Sequence, residues 1–274
     1  MELDGLRIGF IGAGAMADAL AGGLCAAGFP AGSLQLADPD PARRKHFEQT
    51  LGAATTADNA ALVADSDLVV LAVKPQVMPA VLESLAAAPG RQRPLWVSIA
   101  AGVRIARLER GLGAGARIVR AMPNTPALVR CGATAICGNP AATADDLAHA
   151  RALFTSVGSC WVAPREALLD AVTGLSGSGP AYVFVFLEAL GDAGVRMGLP
   201  RDAAYELAFQ TVLGAARLAI EDGRHPAALK DQVTSPGGTT IAGLERLEAG
   251  GLRAAVYDAV AAATRRSQEL AGED

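Results

Sequence analysis

The hydrophobic period changes once along this 274-residue chain, at Pro164, and that change limits the folds open to it. Upstream lie short apolar runs: "LRIGFIG" (6–12), "SLQLAD" (33–38), "LVVLAV" (68–73), "LWVSIA" (95–100), "ARIVRAM" (116–122), "ATAICG" (133–138) and "SCWVAP" (159–164). The first four are rich in aliphatic residues and bounded by Gly, Pro or Asp, as strands buried on both faces should be. Segments of helix length, such as 14–28, 41–51 and 76–87, lie between them. Such alternation predicts βαβ units and a doubly wound parallel sheet. Downstream, "PAYVFVFLEALGDAGVRMG", "PRDAAYELAFQTVLGAARLAIEDG" and "RAAVYDAVAAATRRSQEL" all carry helical periodicity, and no strand-like run appears. The expected architecture is α/β: a doubly wound dinucleotide-type (Rossmann) domain over 1–163, then an all-α domain over 164–274. Glycines 191, 194 and 198 are expected to let helices of the second half approach closely. A helical half this apolar is expected to bury part of itself against another copy, giving a dimer at least.

Bulk properties exclude several function classes. A net charge of -4 and 19% charged residues give no electrostatic case for nucleic acid or an anionic membrane surface. Cys25, Cys131, Cys137 and Cys160 form no CxxC pair, and His46, His149 and His225 lie apart from them, so no metal site is expected. The start "MELDGLRIGFIG" does not read as a signal peptide, and "AYVFVFLEAL" falls short of a bilayer span. The chain is expected to be soluble and cytoplasmic.

The first chemical signal is "IGFIGAGAMADAL", which follows a strand and opens a helix. From Gly12 it reads G-x-G-x-x-A. Gly12 permits a tight turn, Gly14 lets the backbone approach a pyrophosphate at the positive end of a helix, and Ala17 is small enough for close packing. A bare packing turn is the bland alternative. Asp38, 24 residues past Gly14, stands where an acid holds the ribose hydroxyls of NAD, yet Arg43, Arg44 and Lys45 follow and suit a 2′-phosphate. "AVKPQ" (72–76), "SIAAGV" (98–103) and "RAMPNTPALV" (120–129) each follow a strand, where ligands of doubly wound sheets bind. Lys74 and Asn124 offer polar contacts there. In the helical half, "SGSGP" (176–180) and "SPGGTT" (235–240) each precede a helix. Taken singly they read first as capped turns, and alternatively as loops whose N–H groups meet a small anion.

Taken together and in this order, "GFIGAGAMA", "AVKPQ", "SIAAGV", "RAMPNTPALV", "VTGLSGSGPAYVF", "HPAALKD" and "TSPGGTTIAGLE" resemble the pyrroline-5-carboxylate reductase family over essentially the whole chain. The resemblance implies an oxidoreductase of proline biosynthesis that delivers hydride from NADPH or NADH to a cyclic C=N bond. It implies a cofactor site of Ile11, Gly12, Ala13, Gly14, Ala15, Met16, Asn59, Ala72, Val73, Lys74, Pro75, Ile99, Ala100 and Ala101, to which the strand-end positions add Asp38, Met122, Pro123 and Asn124. Family members that prefer NADPH usually have Ser, Asn or Arg where this chain has Asp38. It implies a substrate site of Glu166, Ser176, Gly177, Ser178, Gly179, Gln232, Ser235, Gly237, Gly238, Thr239 and Thr240, with Thr240 near the imine nitrogen. It also implies a homodimer or a larger homo-oligomer such as a decamer.

The residues themselves are compatible with that chemistry. No Ser–His–Asp spacing or carboxylate pair stands out. A cyclic imine is basic enough to arrive protonated, so its reduction needs placement more than an acid from the protein. A β-hydroxy-acid dehydrogenase would share the layout but place a Lys on the central helix, and 181–198 has none. A non-catalytic nucleotide-binding protein is the reading from another class.

Overall fold

The computed structural model describes residues 2–272. In chain order the α/β part comprises β1 Ile8–Ile11, α1 Ala15–Ala26, β2 Leu34–Ala37, α2 Pro41–Leu51, β3 Ala54–Thr56, α3 Asn59–Asp65, β4 Leu68–Leu71, α4 Met78–Leu85, β5 Leu95–Ser98 and α5 Ile105–Leu112. It continues with β6 Ile118–Met122, β7 Gly132–Gly138, α6 Ala144–Thr155 and β8 Gly158–Val162. The helical part is α7 Leu168–Val172, a π-helical turn Thr173–Gly177, α8 Gly179–Arg196, α9 Arg201–Asp222, α10 Pro226–Gln232, α11 Thr239–Ala249 and α12 Leu252–Gly272.

The strands form one sheet in the order β3-β2-β1-β4-β5-β6-β7-β8, parallel throughout except that β7 runs antiparallel to β6. This is the doubly wound arrangement expected from the alternation, with its switch point between β1 and β4. Burial follows the pleat. Ile8, Phe10, Leu68, Val70 and Val97 face one core with α1 and α6, whereas Ile11, Val69, Leu71 and Trp96 face the other with α4 and α5. Every residue of β1, β4 and β5 is buried, which is why these strands read as uninterrupted apolar runs. The edge strand β3 was not among the expected runs: it has three residues, Ala-Thr-Thr, none of them buried.

Two features of the helical half differ from the sequence reading. The "SGSGP" stretch is no open loop, because α7 passes through the π turn almost directly into α8, with the Ser178 N–H bonded to the Thr173 carbonyl at 2.8 Å. And of the three glycines expected to pack, Gly191 and Gly194 do so: a Cβ there would meet the Tyr205 ring at 3.0 Å and the Ala204 Cβ at 3.1 Å. Gly198 instead makes the turn between α8 and α9 at φ +98°, with nothing near it.

Compactness divides the chain into a unit of residues up to Ser178 together with those from Ala261 on, and a unit Gly179–Val260. In the first, the end of α12 is held by a buried Asp170, which accepts the Ser267 hydroxyl at 2.8 Å. The second unit buries little of its apolar surface. Phe184, Val185, Phe209, Leu213, Ile220 and Tyr257 are all more than half exposed. No helix of the described residues is long and apolar enough to cross a membrane.

Candidate active site

Because β1, β2, β4, β5 and β6 run parallel, the turns at their carboxyl ends share one edge of the sheet. That edge gathers Gly12–Met16, Asp38, Ala72–Pro75, Ile99–Ala101 and Pro123–Asn124. Gly12 sits at φ +97°, and a Cβ on it would lie 2.7 Å from the Ala72 carbonyl oxygen, so only glycine lets the first turn lie against the fourth strand. Gly14 is the extended N-cap of α1, has no side chain to cap the helix, and opens onto free space. The first N–H groups of α1 are thus left for a ligand, and the helix start favours negative charge. The cradle fits a dinucleotide pyrophosphate.

Asp38, the expected ribose ligand, is tied into this loop. Its Oδ2 accepts the Ala13 N–H at 2.8 Å and its Oδ1 the Asp40 N–H at 2.9 Å. Each carboxylate oxygen keeps a second lone pair, so a hydroxyl can still be received. Of the three basic residues nearby, Arg43 and Lys45 are exposed, while Arg44 folds back so that its Nη1 donates to the carbonyls of Asp38 (2.7 Å) and Pro39 (3.0 Å). Asn59, in the first turn of α3, reaches the Ser84 hydroxyl at 3.5 Å, and Lys74 is exposed.

Two residues placed in the site from sequence turn out to be engaged by the protein itself. Asn124 is buried: its amide oxygen accepts the Ala133 N–H at 2.8 Å and its amide nitrogen donates to the Ser176 carbonyl at 3.0 Å. The "MPNTP" segment and the Ser176–Gly177 turn are therefore brought together, and Gly177 is so close to Met122 that a Cβ would lie 2.6 Å from its Cε. Glu166 uses Oε1 to accept both the Ile105 N–H, at the start of α5, and the Arg120 guanidinium, each at 2.8 Å. Arg120 is almost wholly buried in β6. Sequence reasoning passed it over, and the second arginine of "ARIVRAM", set between Val119 and Ala121 inside the apolar run, was the signal available.

In the second unit, Gly237 at φ +67° turns the chain between α10 and α11, and Gly238 is the N-cap of α11, again without a side-chain cap. A Cβ on Gly238 would clash with the Ser235 hydroxyl. Thr239 and Thr240 form the first turn, and the hydroxyl of the half-buried Thr240 bonds to no group among the described residues. Gly237, Gly238, Ile241 and Glu245 line a recess with Lys230, whose Nζ pairs with Asp231 at 2.7 Å. Gln232 accepts from Arg224 at 3.0 Å. His225 caps α10, its Nδ1 accepting the Ala227 N–H, and His46 pairs with Asp18. Burial holds the Cys160 thiol up at about 11, so it is no thiolate at neutral pH.

The residues up to this point define a dinucleotide cradle and a second uncapped, hydroxyl-bearing helix start. Comparison with known proteins bears on what uses them. A family model described as pyrroline-5-carboxylate reductase dimerisation matches residues 166–270, and one described as NADP oxidoreductase, coenzyme F420-dependent, matches residues 7–102. The chain is 50% identical to a pyrroline-5-carboxylate reductase of Synechocystis sp. over 97% of its own length and 98% of that protein. It belongs to the pyrroline-5-carboxylate reductase family. Another family member, from Pisum sativum, is 46% identical over 97% of each chain. Among solved reductases of the family, that of Coxiella burnetii superposes with a TM-score of 0.93 at 39% identity, covering 97% of this chain and 98% of its own. That of Plasmodium falciparum, described with NADP bound, superposes at 0.86 with 33% identity, covering 98% and 99%.

Proposed function

We propose that the chain reduces the C=N bond of 1-pyrroline-5-carboxylate to L-proline, using NADPH or NADH. One observation carries this reading. Two glycine-led helix starts, Gly14 before α1 and Gly238 before α11, are left without side-chain caps, and two threonines follow the second. The first suits a pyrophosphate, and the second a carboxylate beside a hydroxyl that can bond the ring nitrogen.

The nicotinamide, when bound, supplies the hydride. Ile11–Met16, Asp38, Asn59, Ala72–Pro75, Ile99–Ala101 and Met122–Asn124, the last through its backbone alone, hold and orient the cofactor, and small side chains at the strand ends let a flat ring lie against backbone. Ser176–Gly179, Ser235 and Gly237–Thr240 receive the substrate, with Gln232 and Glu166 shaping its surroundings. Thr240 offers its hydroxyl to the ring nitrogen, and a protonated imine needs no further acid. In this reading residues 1–163 serve the cofactor and 164–274 serve the substrate and self-association. The exposed Phe184, Val185, Phe209 and Leu213 are the surface a second copy would cover in a homodimer or larger homo-oligomer, and the description of the matching family model supports self-association. The cytoplasm, where both cofactors are supplied, is its place of action.

The test is oxidation of NADH and of NADPH, followed in parallel at 340 nm with pyrroline-5-carboxylate. Substrate-dependent turnover with either supports the reading. A folded protein that binds nucleotide and turns over neither would sink it.

A further inference from the structure

Pro180 has no N–H, so it cannot supply the bond that the Ser176 carbonyl would receive from the residue four positions on in a helix. The Asn124 amide nitrogen, 3.0 Å away, supplies it instead. The orientation of that amide is fixed from both sides, since the Ala133 N–H must meet its oxygen and the Ser176 carbonyl must meet its nitrogen. Around this contact the chain leaves α-helical register. Ser178 bonds to Thr173, five residues back, the Ser176 hydroxyl bonds to Val172 at 3.2 Å, and Gly177 lies against Met122 at the end of β6. One extra residue accommodated in a helix is unstable on its own and persists where the surroundings hold it.

We propose that Asn124 is a positioning residue for the substrate: by bonding the Ser176 carbonyl it holds the π turn, and so sets the direction in which the first N–H groups of α8 point. Asn124 acts through Ser176, and its side chain touches neither substrate nor cofactor. The proposal rests on the reduction reading above and adds to it a residue whose work is done through the backbone.

Two variants test it. Asn124→Ala removes both bonds, whereas Asn124→Asp keeps the acceptor for Ala133 and loses the donor to Ser176. Both should raise the KM for pyrroline-5-carboxylate about tenfold, the worth of one buried hydrogen bond, while the Kd for NADPH, read by tryptophan fluorescence, stays within about twofold. An Asn124→Asp enzyme with wild-type KM would overturn the proposal, leaving Asn124 a staple for β7. So would a parallel loss of nucleotide affinity, which would mark a cofactor contact, or a lowered Tm with unchanged KM. Should the wild-type protein reduce no pyrroline-5-carboxylate, the reduction reading falls, and hydrogen exchange then decides the clamp. Amide exchange across 173–178 at least tenfold faster in both variants supports it, and unchanged exchange overturns it.

Discussion

The carboxylate of Asp38 accepts the N–H of Ala13 at 2.8 Å, so the end of β2 and the glycine loop after β1 are joined before any nucleotide arrives. An acid in this place serves two ends: it shapes the loop, and its charge opposes a 2′-phosphate. Asp38→Asn largely separates them: the amide oxygen can still accept from Ala13, the exposed Asp40 N–H loses its partner to an NH2 group and turns to water, and the charge is gone. The expected outcome is a shift of about tenfold toward NADPH in the ratio of nucleotide Kd values, with little change in Tm. Asp38→Ala should produce the same shift and also weaken both nucleotides. Unchanged selectivity in both variants would mean that Asp38 does not face the ribose.

Gly12 and Gly14 stand two residues apart and should fail in different ways. Ala at 12 would sit at φ +97° with its Cβ against the Ala72 carbonyl, a clash with backbone that cannot move aside. Gly12→Ala is expected to cost roughly 1–3 kcal/mol of stability as well as nucleotide binding. Ala at 14 meets nothing within 4 Å in the protein. Gly14→Ala should therefore keep the wild-type Tm and lose affinity for NADH and NADPH alike. Thermal unfolding with and without nucleotide reads both effects, and a destabilised Gly14→Ala protein would refute the separation.

Cys160 gives stability a pH dependence whose sign follows from its burial. The folded thiol titrates at about 11, above its ordinary value of 9.0, because burial disfavours the thiolate, an effect the nearby Arg151 partly offsets. Between those values the unfolded chain has released a proton that the folded chain retains, so stability falls as pH rises through roughly 9 to 11. Below that window the thiol is protonated in both states and contributes no slope. Cys160→Ala should flatten part of the alkaline decline in urea midpoints and leave the profile below pH 8 unchanged. An identical alkaline decline in the variant would remove Cys160 as a cause.

Much of this was legible in the sequence where a single physical rule decided the outcome. "LVVLAV" had to be a buried strand because nothing else accommodates so short an apolar run between turn residues, and β4 lies within it. The edge strand Ala54–Thr56 gave no such signal, being short and unburied. The glycine loop could be placed because it follows a strand and opens a helix. What could not be read were side chains answering to backbone far away. Asn124 meets Ser176 52 residues on, and Arg120 meets Glu166 46 residues on. From sequence Asn124 looked like a free polar contact for a ligand, when both ends of its amide are engaged. The π turn escaped for the same reason, because Ser-Gly-Ser-Gly-Pro has the composition of a loop and is kept helical by a partner from another motif.

Thr240 supplies the sharpest separation between binding cofactor and turning over substrate. It lies in the first turn of α11, half-buried, with a hydroxyl that bonds to nothing within the described residues, and the Gly238 N-cap leaves the neighbouring N–H groups open. A hydrogen bond to a charged or partly charged partner contributes about 1.5–3 kcal/mol, so Thr240→Ala should lower kcat/KM for pyrroline-5-carboxylate by roughly 10- to 100-fold. Nucleotide affinity should stay close to wild type, because the cofactor cradle belongs to the glycine loop and the strand ends. Thr240→Ser retains the hydroxyl and should recover most of the activity. Steady-state kinetics with both nucleotides, beside direct nucleotide binding, reads the two quantities independently. Equal losses in turnover and cofactor affinity would take Thr240 out of the substrate site, and a Ser variant as poor as Ala would show that its methyl group, not its hydroxyl, matters.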